Sequence, residues 1–518
     1  MPEQLLDYKQ FATLRDRLAG EYSSRINMSS NAQLVFSDVY GKTLEDGRRE
    51  TIAERMAAVA VDVASNDVKY LPTNLTLEEK TKHIETRAKR YLEMYTSNTF
   101  RANTPTNINF GRWAAVYNDD GDIISYEMKN QLGSACFVVP VEDMFGDNVE
   151  TIHQTDGILA AWVEQQLLQK GGGGTGFSGA SLRPKGSKIG YNPAVDGMNS
   201  MDWKNQRGVS SGWESFLDNY YNSSTEAVKQ GSSRRGANMG IQRIDHMDFL
   251  DHLYAKFGRD RGRLEYRLKN FNLSIAGTDE FMEAALSGGT YTLYNPHRAN
   301  PKTKKILQKK FGIENPEIVR KGDLATREQF EKIMRMNESN PFAPVVTPNM
   351  YLDNNGKDVI NAYNGEEIGT VINDIVHINA AKVLDSIAKL SHSNGEPGML
   401  FIDRINEYNP ILFIEEIEAT NPCGEQPLPR HTACNLGSIN AGKFVRYAII
   451  EEKSATSFVA ENGRIIHVSP EEIAGQLAEV GGKYSSIAEK IRKDSFAKIE
   501  KRGDGTLGVM YYDWESLD

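Results

Sequence analysis

"NPCGEQPLPRHTACNLGSIN", residues 421–440, holds two of the only three cysteines in a chain of 518 residues, Cys423 and Cys434. Asn421 stands two places before the first and Glu425 two places after it. The preceding "EIEAT" reads as a strand running into a tight Pro-Gly turn. Alternate residues of an extended segment point one way, so Asn421, Cys423 and Glu425 are expected on one side. A carboxylate beside a thiol raises the thiol pKa, a poor arrangement for a thiolate nucleophile. The pairing makes chemical sense where the sulfur works without ionic charge and the carboxylate takes a proton from a substrate. A sulfur-centred radical meets that requirement.

Cys434 follows Cys423 by eleven residues. If the chain doubles back, Cys434 can meet the third cysteine, Cys136, at disulfide distance. Two thiols that close can deliver two electrons. Two other readings stand beside this one. Cys136, Cys423, Cys434 and His431 could bind zinc, although the usual C-x-x-C knuckle is missing. The cysteines could also be buried and inert.

Composition narrows the setting. Apolar residues make up 39% and charged residues 25% of the chain, which fits a globular protein rather than a disordered one. The net charge of −10 argues against a sequence-independent grip on nucleic acid or a membrane surface, since both want a basic face. "MPEQLLDYKQFATLRDRLAG" at the start carries charges throughout, and no stretch reads as a signal peptide or a membrane span. The expected location is cytoplasmic, where thiols stay reduced unless chemistry cycles them.

Residues 1–100 read as mostly helical. "TLEE" forms a capping box from Thr76 to Glu79, and Ile84, Ala88, Tyr91 and Tyr95 follow at helical spacing. "NTPTNINFG", 103–111, reads as a loop, and "SACFVVPV", 134–141, as a strand. A helix from Val149 to Lys170 is expected to gather Ile152, Leu159, Trp162, Val163 and Leu167 on one side. From residue 212 helices and strands alternate. "ANMGIQRI", "RLKNFNLSIAG", "GMLFID" and "PILFIEEIEA" read as strands. "WESFLDNYYNSSTEAVKQ", "MDFLDHLYAKF", "TDEFMEAAL" and "GTVINDIVHINAAKVLDSIAKL" read as helices. Such alternation predicts a parallel α/β architecture, sheet or barrel. Residues 295–365 and 445–505 read as insertions or peripheral loops.

"GGGGTG", 171–176, formally contains G-x-G-x-x-G. A dinucleotide site needs a strand before it and a helix after it, but here a helix precedes it. The glycines therefore predict a backbone that comes very close to something, or else a plain flexible loop. In "QGSSRRGANMG", 230–240, Arg234 and Arg235 sit among small residues, a setting that suits phosphate or simply a solvated surface.

Taken together, "NPCGE" with "CNLGSIN", "LGSACFVVPVEDM", "GGGGTGFSGASLRPKGS", "KQGSSRRGANMGI", "NFNLSIAGTDEFMEA" and "GMLFIDRIN" resemble the ribonucleotide reductase catalytic subunits across roughly residues 100–445. The resemblance implies a ten-stranded α/β barrel with Cys423 on a finger loop inside it. It implies that Cys423 is the thiyl radical that removes the 3′ hydrogen of a ribonucleoside di- or triphosphate. Glu425 would deprotonate the 3′ hydroxyl, Asn421 would hold the sugar hydroxyls, and Cys136 and Cys434 would supply the electrons and close into a disulfide. Thr106, Ala135, Gly174, Pro422 and Gly424 match substrate contacts. Asp143 and Arg183 match effector contacts, and Arg234 falls in the loop that relays effector identity.

The short gap between Cys423 and Cys434 looks like the class II pattern, which implies adenosylcobalamin. A class I subunit fed by a separate metal-bearing subunit is the alternative, and a non-catalytic nucleotide-binding remnant is another. The partners implied are the ribonucleotide, a dNTP or ATP effector and a thioredoxin-like reductant, with a second copy of the chain, as a homodimer, a further option. No ATP-cone is recognisable. The boundaries expected are 1–100 for a helical region, 101–445 for the first part of the barrel, and 446–518 for an insertion and the start of the next barrel segment. The family pattern continues past "YYDWESLD", so a complementary C-terminal portion is also an expected partner.

Overall fold

The computed structural model describes residues 6–44, 47–128, 132–145, 156–185, 210–228, 236–257, 268–293, 350–353, 355, 357–361, 365–372, 375–449, 469–501 and 506–513. Two compact units emerge. One is Met1–Asn103 with Phe110–Lys129 and Gly437–Asp518, and the other is Thr104–Asn109 with Asn130–Leu436.

The first unit begins with four helices, α1 (Tyr8–Tyr22), α2 (Ser30–Tyr40), α3 (Ile52–Ser65) and α4 (Leu77–Thr96). Capping boxes start three of them: Asp7 with Gln10, Thr51 with Glu54, and Thr76 with Glu79. Each box satisfies N–H groups that the first turn leaves without partners. The expected stripe on α4 buries Ile84, Ala88 and Tyr95 against Leu14, Leu18, Met56 and Ala60. Then come β1 (Phe100–Ala102), paired antiparallel with Gly437–Ile439, and the hairpin β2 (Trp113–Tyr117) and β3 (Ile123–Met128). Residues 445–505, expected to be insertions or peripheral loops, contribute Val445–Ile449 and Ala497–Lys501 to an antiparallel sheet with Leu507–Tyr512. Helices Pro470–Val480 and Lys483–Asp494 share its core through Ile473, Leu477, Ile487, Ile491 and Val509.

The second unit carries the chemistry. It opens with α5 (Thr104–Asn109), a short helix where a loop was expected; Pro105 and Ile108 are buried, and that packing outweighs the turn-prone composition. β4 (Cys136–Val138), α6 (Ile158–Lys170) and β5 (Gly174–Ser178) follow. Next, α7 (Trp213–Phe216) runs through a π-helical turn into α8 (Ser223–Val228), before β6 (Asn238–Arg243). Then come α9 (Phe249–Leu253), β7 (Phe271–Gly277) and α10 (Asp279–Ser287), which is capped by Thr278.

A five-stranded antiparallel sheet follows in the chain. Its strands are β8 (Thr290–Thr292), β9 (Met350–Leu352), β10 (Asp358–Asn361), β11 (Glu367–Ile372) and β12 (Ile375–Asn379). The long helix expected from residue 369 is therefore only α11 (Ala380–Asn394), preceded by a β-hairpin. Val371, Ile372, Ile375, Val376 and Ile378 are β-branched, and pairing of the two strands wins over helical periodicity. Buried Ile368, Val376, Ile378, Val383 and Ile387 join Phe281 and Ile275 in one core.

The unit ends with β13 (Gly398–Phe401), α12 (Ile402–Glu407), β14 (Ala419–Thr420), β15 (Pro427–Leu428) and β16 (Ala433–Cys434). "PILFIEEIEA" supplies only Ala419, the first residue of β14. Its earlier part makes turns and leaves Phe413 84% exposed. The main sheet runs β13-β7-β6-β5-β4-β16. All its neighbours are parallel except β16, which pairs antiparallel with β4. This is the parallel α/β arrangement that the alternating pattern predicts.

Helix α6 departs from its expected face. It buries Ile158, Ala161, Gln165 and Gln169, and leaves Val163 and Leu167 exposed; Ile152 lies outside the described residues. The cause is a polar network beneath β5 and β6. Gln165 and Gln169 both donate to Asn238 Oδ1, at 2.9 and 2.7 Å, and Thr175 Oγ1 donates to the same oxygen at 2.7 Å. Buried amides are retained where their hydrogen bonds are made.

Candidate active site

β14 and β15 form a hairpin whose tip is Asn421–Gln426. Asn421 and Gln426 close its base: the Asn421 N–H donates to the Gln426 carbonyl at 3.1 Å, and the Gln426 N–H to Asn421 Oδ1 at 3.0 Å. The Gly424 N–H donates to the Asn421 carbonyl at 3.1 Å, and Gly424 has φ +81, a conformation glycine adopts without steric cost. The tip is thus a tight turn and not an extended strand. The expected alternation of Asn421, Cys423 and Glu425 on one side fails for that reason. Asn421 is fully buried, whereas Cys423 and Glu425 are exposed.

Two glycines of the 171–176 run, Gly174 and Gly176, let this tip in. A Cβ on Gly176 would stand 1.7 Å from the Thr420 carbonyl oxygen, and one on Gly174 would stand 2.5 Å from Pro422 Cγ. The close backbone approach that the glycines predict is therefore an approach to the cysteine turn. Asn272 of β7 adds a hold from the next strands, donating from Nδ2 to the Pro422 carbonyl at 2.8 Å.

The sulfurs converge. In the β4–β16 pairing Cys434 is the direct register partner of Cys136. Opposed residues of an antiparallel pair have Cα atoms about 4.5–5.5 Å apart, inside the window of about 4.4–6.8 Å for disulfides. The pairing extends through Val138 N–H to the Thr432 carbonyl at 3.1 Å and His431 N–H to the Val138 carbonyl at 3.0 Å. Asn421 Nδ2 lies 3.2 Å from Cys136 Sγ, so the buried amide ties the tip to the first thiol. Burial pushes the Cys136 thiol up; the Asn421 hydrogen bond works against this, and the charges of Glu425, Cys434 and Cys423 add to it. Burial, and then the Glu425 charge, also push the Cys434 thiol up. Both thiols are therefore biased toward the protonated form, each a carrier of a proton with an electron.

Cys423 is exposed, where the resemblance implies a barrel interior. Among the described residues no strand closes the sheet between β13 and β16. The zinc reading finds no geometry: among the described residues no three His, Cys, Asp or Glu side chains are grouped to hold a metal ion.

The remaining expected residues fall into two places. Thr106 Oγ1 of α5 donates to the Gly133 carbonyl at 3.2 Å, and the Gly174 N–H donates to the carbonyl of buried Ala135 at 2.8 Å. These three thus border the cysteine strands. Asp143 and Arg183 pair with each other: Arg183 Nε is 3.0 Å from both carboxylate oxygens. Arg234 lies outside the described residues.

The structure adds residues that sequence reasoning missed. Asp248, fully buried, accepts the Lys185 N–H through both oxygens, at 3.1 and 3.0 Å. His246 accepts the Asp248 N–H at Nδ1, which leaves Nε2 to donate to the Leu182 carbonyl at 2.8 Å. Together they fix the loop bearing Arg183. Complete burial lowers the His246 pKa to about 4. No local signal distinguishes these side chains from ordinary surface acids and histidines. For Asn272, a polar residue in the strand "NFNLSIAG" was the available hint.

Comparison with known proteins gives one family twice. The family described as "Ribonucleotide reductase, barrel domain" matches residues 134–468, and "Ribonucleotide reductase, all-alpha domain" matches residues 27–113. The "Vitamin B12-dependent ribonucleoside-diphosphate reductase" of Thermoplasma acidophilum is 29% identical over 379 residues, 71% of this chain and 34% of its own length. The protein of that name in Mycobacterium tuberculosis is 28% identical over 421 residues, 81% of this chain and 42% of its own. The "Ribonucleoside-diphosphate reductase subunit alpha" of Bacillus subtilis is 22% identical over 469 residues, 87% of this chain and 52% of its own. The chain thus spans about a third to a half of the length of these relatives.

Proposed function

The chain belongs to the ribonucleotide reductase large-subunit family, and from that premise we propose that it reduces ribonucleotides to 2′-deoxyribonucleotides by thiyl-radical chemistry. The observation that carries the reading is the direct opposition of Cys136 and Cys434 with the Asn421 amide on Cys136. In this reading Cys423 removes the 3′ hydrogen atom of the ribose. Glu425, two residues away at the same exposed tip, accepts the 3′-hydroxyl proton as water leaves C2′. Asn421 and the backbone around Thr106, Ala135, Gly174, Pro422 and Gly424 hold the sugar. Cys136 and Cys434 then give two electrons and two protons and become a disulfide, so one ribonucleotide and two thiols yield one deoxyribonucleotide, one water and one disulfide. A thioredoxin-like dithiol restores the pair, which suits a cytoplasmic setting.

The names of the relatives favour adenosylcobalamin over a separate radical subunit. The exposure of Cys423 on a fixed turn fits a group as bulky as a corrinoid brought up to its sulfur. When bound, adenosylcobalamin supplies the one-electron oxidising equivalent, and Cys423 is the residue of this chain that would hold it. Asp143, Arg183 and Arg234 are proposed to read a nucleoside triphosphate effector. The curated relatives extend well beyond the matched region, so the assay supplies the rest of a reductase large subunit with the chain.

The test is reconstitution. The chain is combined with the remainder of a reductase large subunit, adenosylcobalamin, a dithiol and a ribonucleoside di- or triphosphate. Deoxyribonucleotide that disappears in Cys423→Ser is the expected result. Its absence with every radical source would overturn the reading in favour of a nucleotide-binding remnant.

A further inference from the structure

The hairpin that presents Cys434 is fastened at a corner remote from the thiols. His431 occupies that corner, between β15 and β16, with φ +52. A non-glycine residue in the left-handed region reverts to ordinary backbone unless its surroundings hold it there. Two sets of contacts hold this one. Its N–H donates to the Val138 carbonyl at 3.0 Å, prolonging the β4–β16 ladder. Its ring stands between two carboxylates, with Nε2 3.0 Å from Asp156 Oδ1 and Nδ1 3.6 Å from Glu164 Oε1. Glu164 belongs to α6, and Asp156 lies two residues before that helix starts. The neighbouring Arg430 is turned to other acids, with Nη1 2.7 Å from Glu142 Oε1 and Nη2 3.5 Å from Glu418 Oε2, so it does not serve this pair of carboxylates. One imidazole therefore bolts the Cys434 hairpin to helix α6, three residues before the sulfur.

We propose that His431 is a positioning residue for the redox pair: by bridging Asp156 and Glu164 it holds the β15–β16 hairpin in the register that sets Cys434 against Cys136. The proposal rests on reading those two cysteines as the electron reservoir. It assigns the precision of their meeting to a side chain that touches neither sulfur. Loosening that corner lowers the effective concentration of one thiol at the other, and so disfavours the disulfide.

The test is a thiol–disulfide equilibrium on the full chain, with no turnover required. One glutathione disulfide oxidises the two thiols to an intramolecular disulfide and is reduced to two glutathione thiols. Alkylation and mass spectrometry of the Cys136–Cys434 linkage give the equilibrium constant. His431→Asn is the informative variant, because asparagine tolerates the left-handed backbone but cannot bridge both acids. The constant is expected to fall about two- to fivefold, the range of a half-exposed polar contact. Asp156→Asn with Glu164→Gln should reproduce the fall. Adding His431→Asn to that double variant should then change little, as for residues acting through one contact. The acid substitutions also keep the test open if His431→Asn fails to fold, as judged by circular dichroism. An unchanged constant in folded His431→Asn, or in the acid double variant, would overturn the proposal while leaving the redox pair intact. Failure of the unsubstituted chain to form the linkage at any glutathione ratio would overturn the pair itself, and the positioning role with it.

Discussion

At the scale of single residues, Asn421 and Glu425 treat the sulfurs in opposite ways. The Asn421 amide sits on Cys136 Sγ and favours its thiolate, whereas the Glu425 charge disfavours the thiolate of both Cys136 and Cys434. Alkylating reagents attack thiolates. Glu425→Gln should therefore shift the pH profile of Cys434 alkylation to lower pH and raise its rate near pH 8 about twofold, the effect of removing one nearby charge at a partly exposed site. Site-resolved mass spectrometry reads both. An unmoved profile would mean that burial alone sets the thiol. The nearness of an acid to the sulfurs is legible in the sequence, because the chain has only three cysteines and Glu425 stands two places from one of them. The orientation of Asn421 is not legible. Strand periodicity places it beside Cys423, but the Pro422–Gly424 turn sends its amide inward to Cys136 instead.

At the scale of elements, the glycines of β5 and the cysteine turn are one construction. Gly176→Ala forces a methyl against the Thr420 carbonyl, whose backbone cannot swing aside as a flexible side chain would. The expected cost is about 1–3 kcal/mol of stability, read from urea denaturation, together with weaker Cys136–Cys434 oxidation. The loop held by His246 offers a second measurement. A buried imidazole with a pKa of about 4, against 6.5 in the unfolded chain, binds its proton preferentially when unfolded. Its contribution is therefore complete above pH 6.5 and is lost as pH falls toward 4, about 3 kcal/mol in all at 1.36 kcal/mol per pH unit. His246→Gln should flatten that acid limb in a series of urea midpoints taken at different pH. Element types were readable where one signal dominated, as with the Thr76 capping box or the strand "ANMGIQRI". They were not readable at 367–379, where β-branched residues satisfy both periods and the partner strand decides. Nor was the inward face of α6 readable, since Gln165 and Gln169 earn burial only from Asn238, a residue some seventy positions away.

For the molecule as a whole, the exposed apolar run after α12 is the feature to test. Tyr408, Phe413 and Ile414 are 81%, 84% and 69% exposed, and contiguous exposed apolar surface drives association. Phe413→Ser with Ile414→Ser should reduce self-association of the chain in analytical ultracentrifugation and leave its helical circular dichroism unchanged. Equal sedimentation of the two proteins would show that this surface is inert. The main sheet sets the wider pattern. β13, β7, β6, β5 and β4 run in one direction, and β16 alone runs against them. A covalent link closed between Cys136 and Cys434 therefore lands on the single reversed seam, at the rim. The load of making and breaking it falls on a two-residue strip of hairpin, while the helix-backed interior strands keep their spacing like the fixed jaw of a vise.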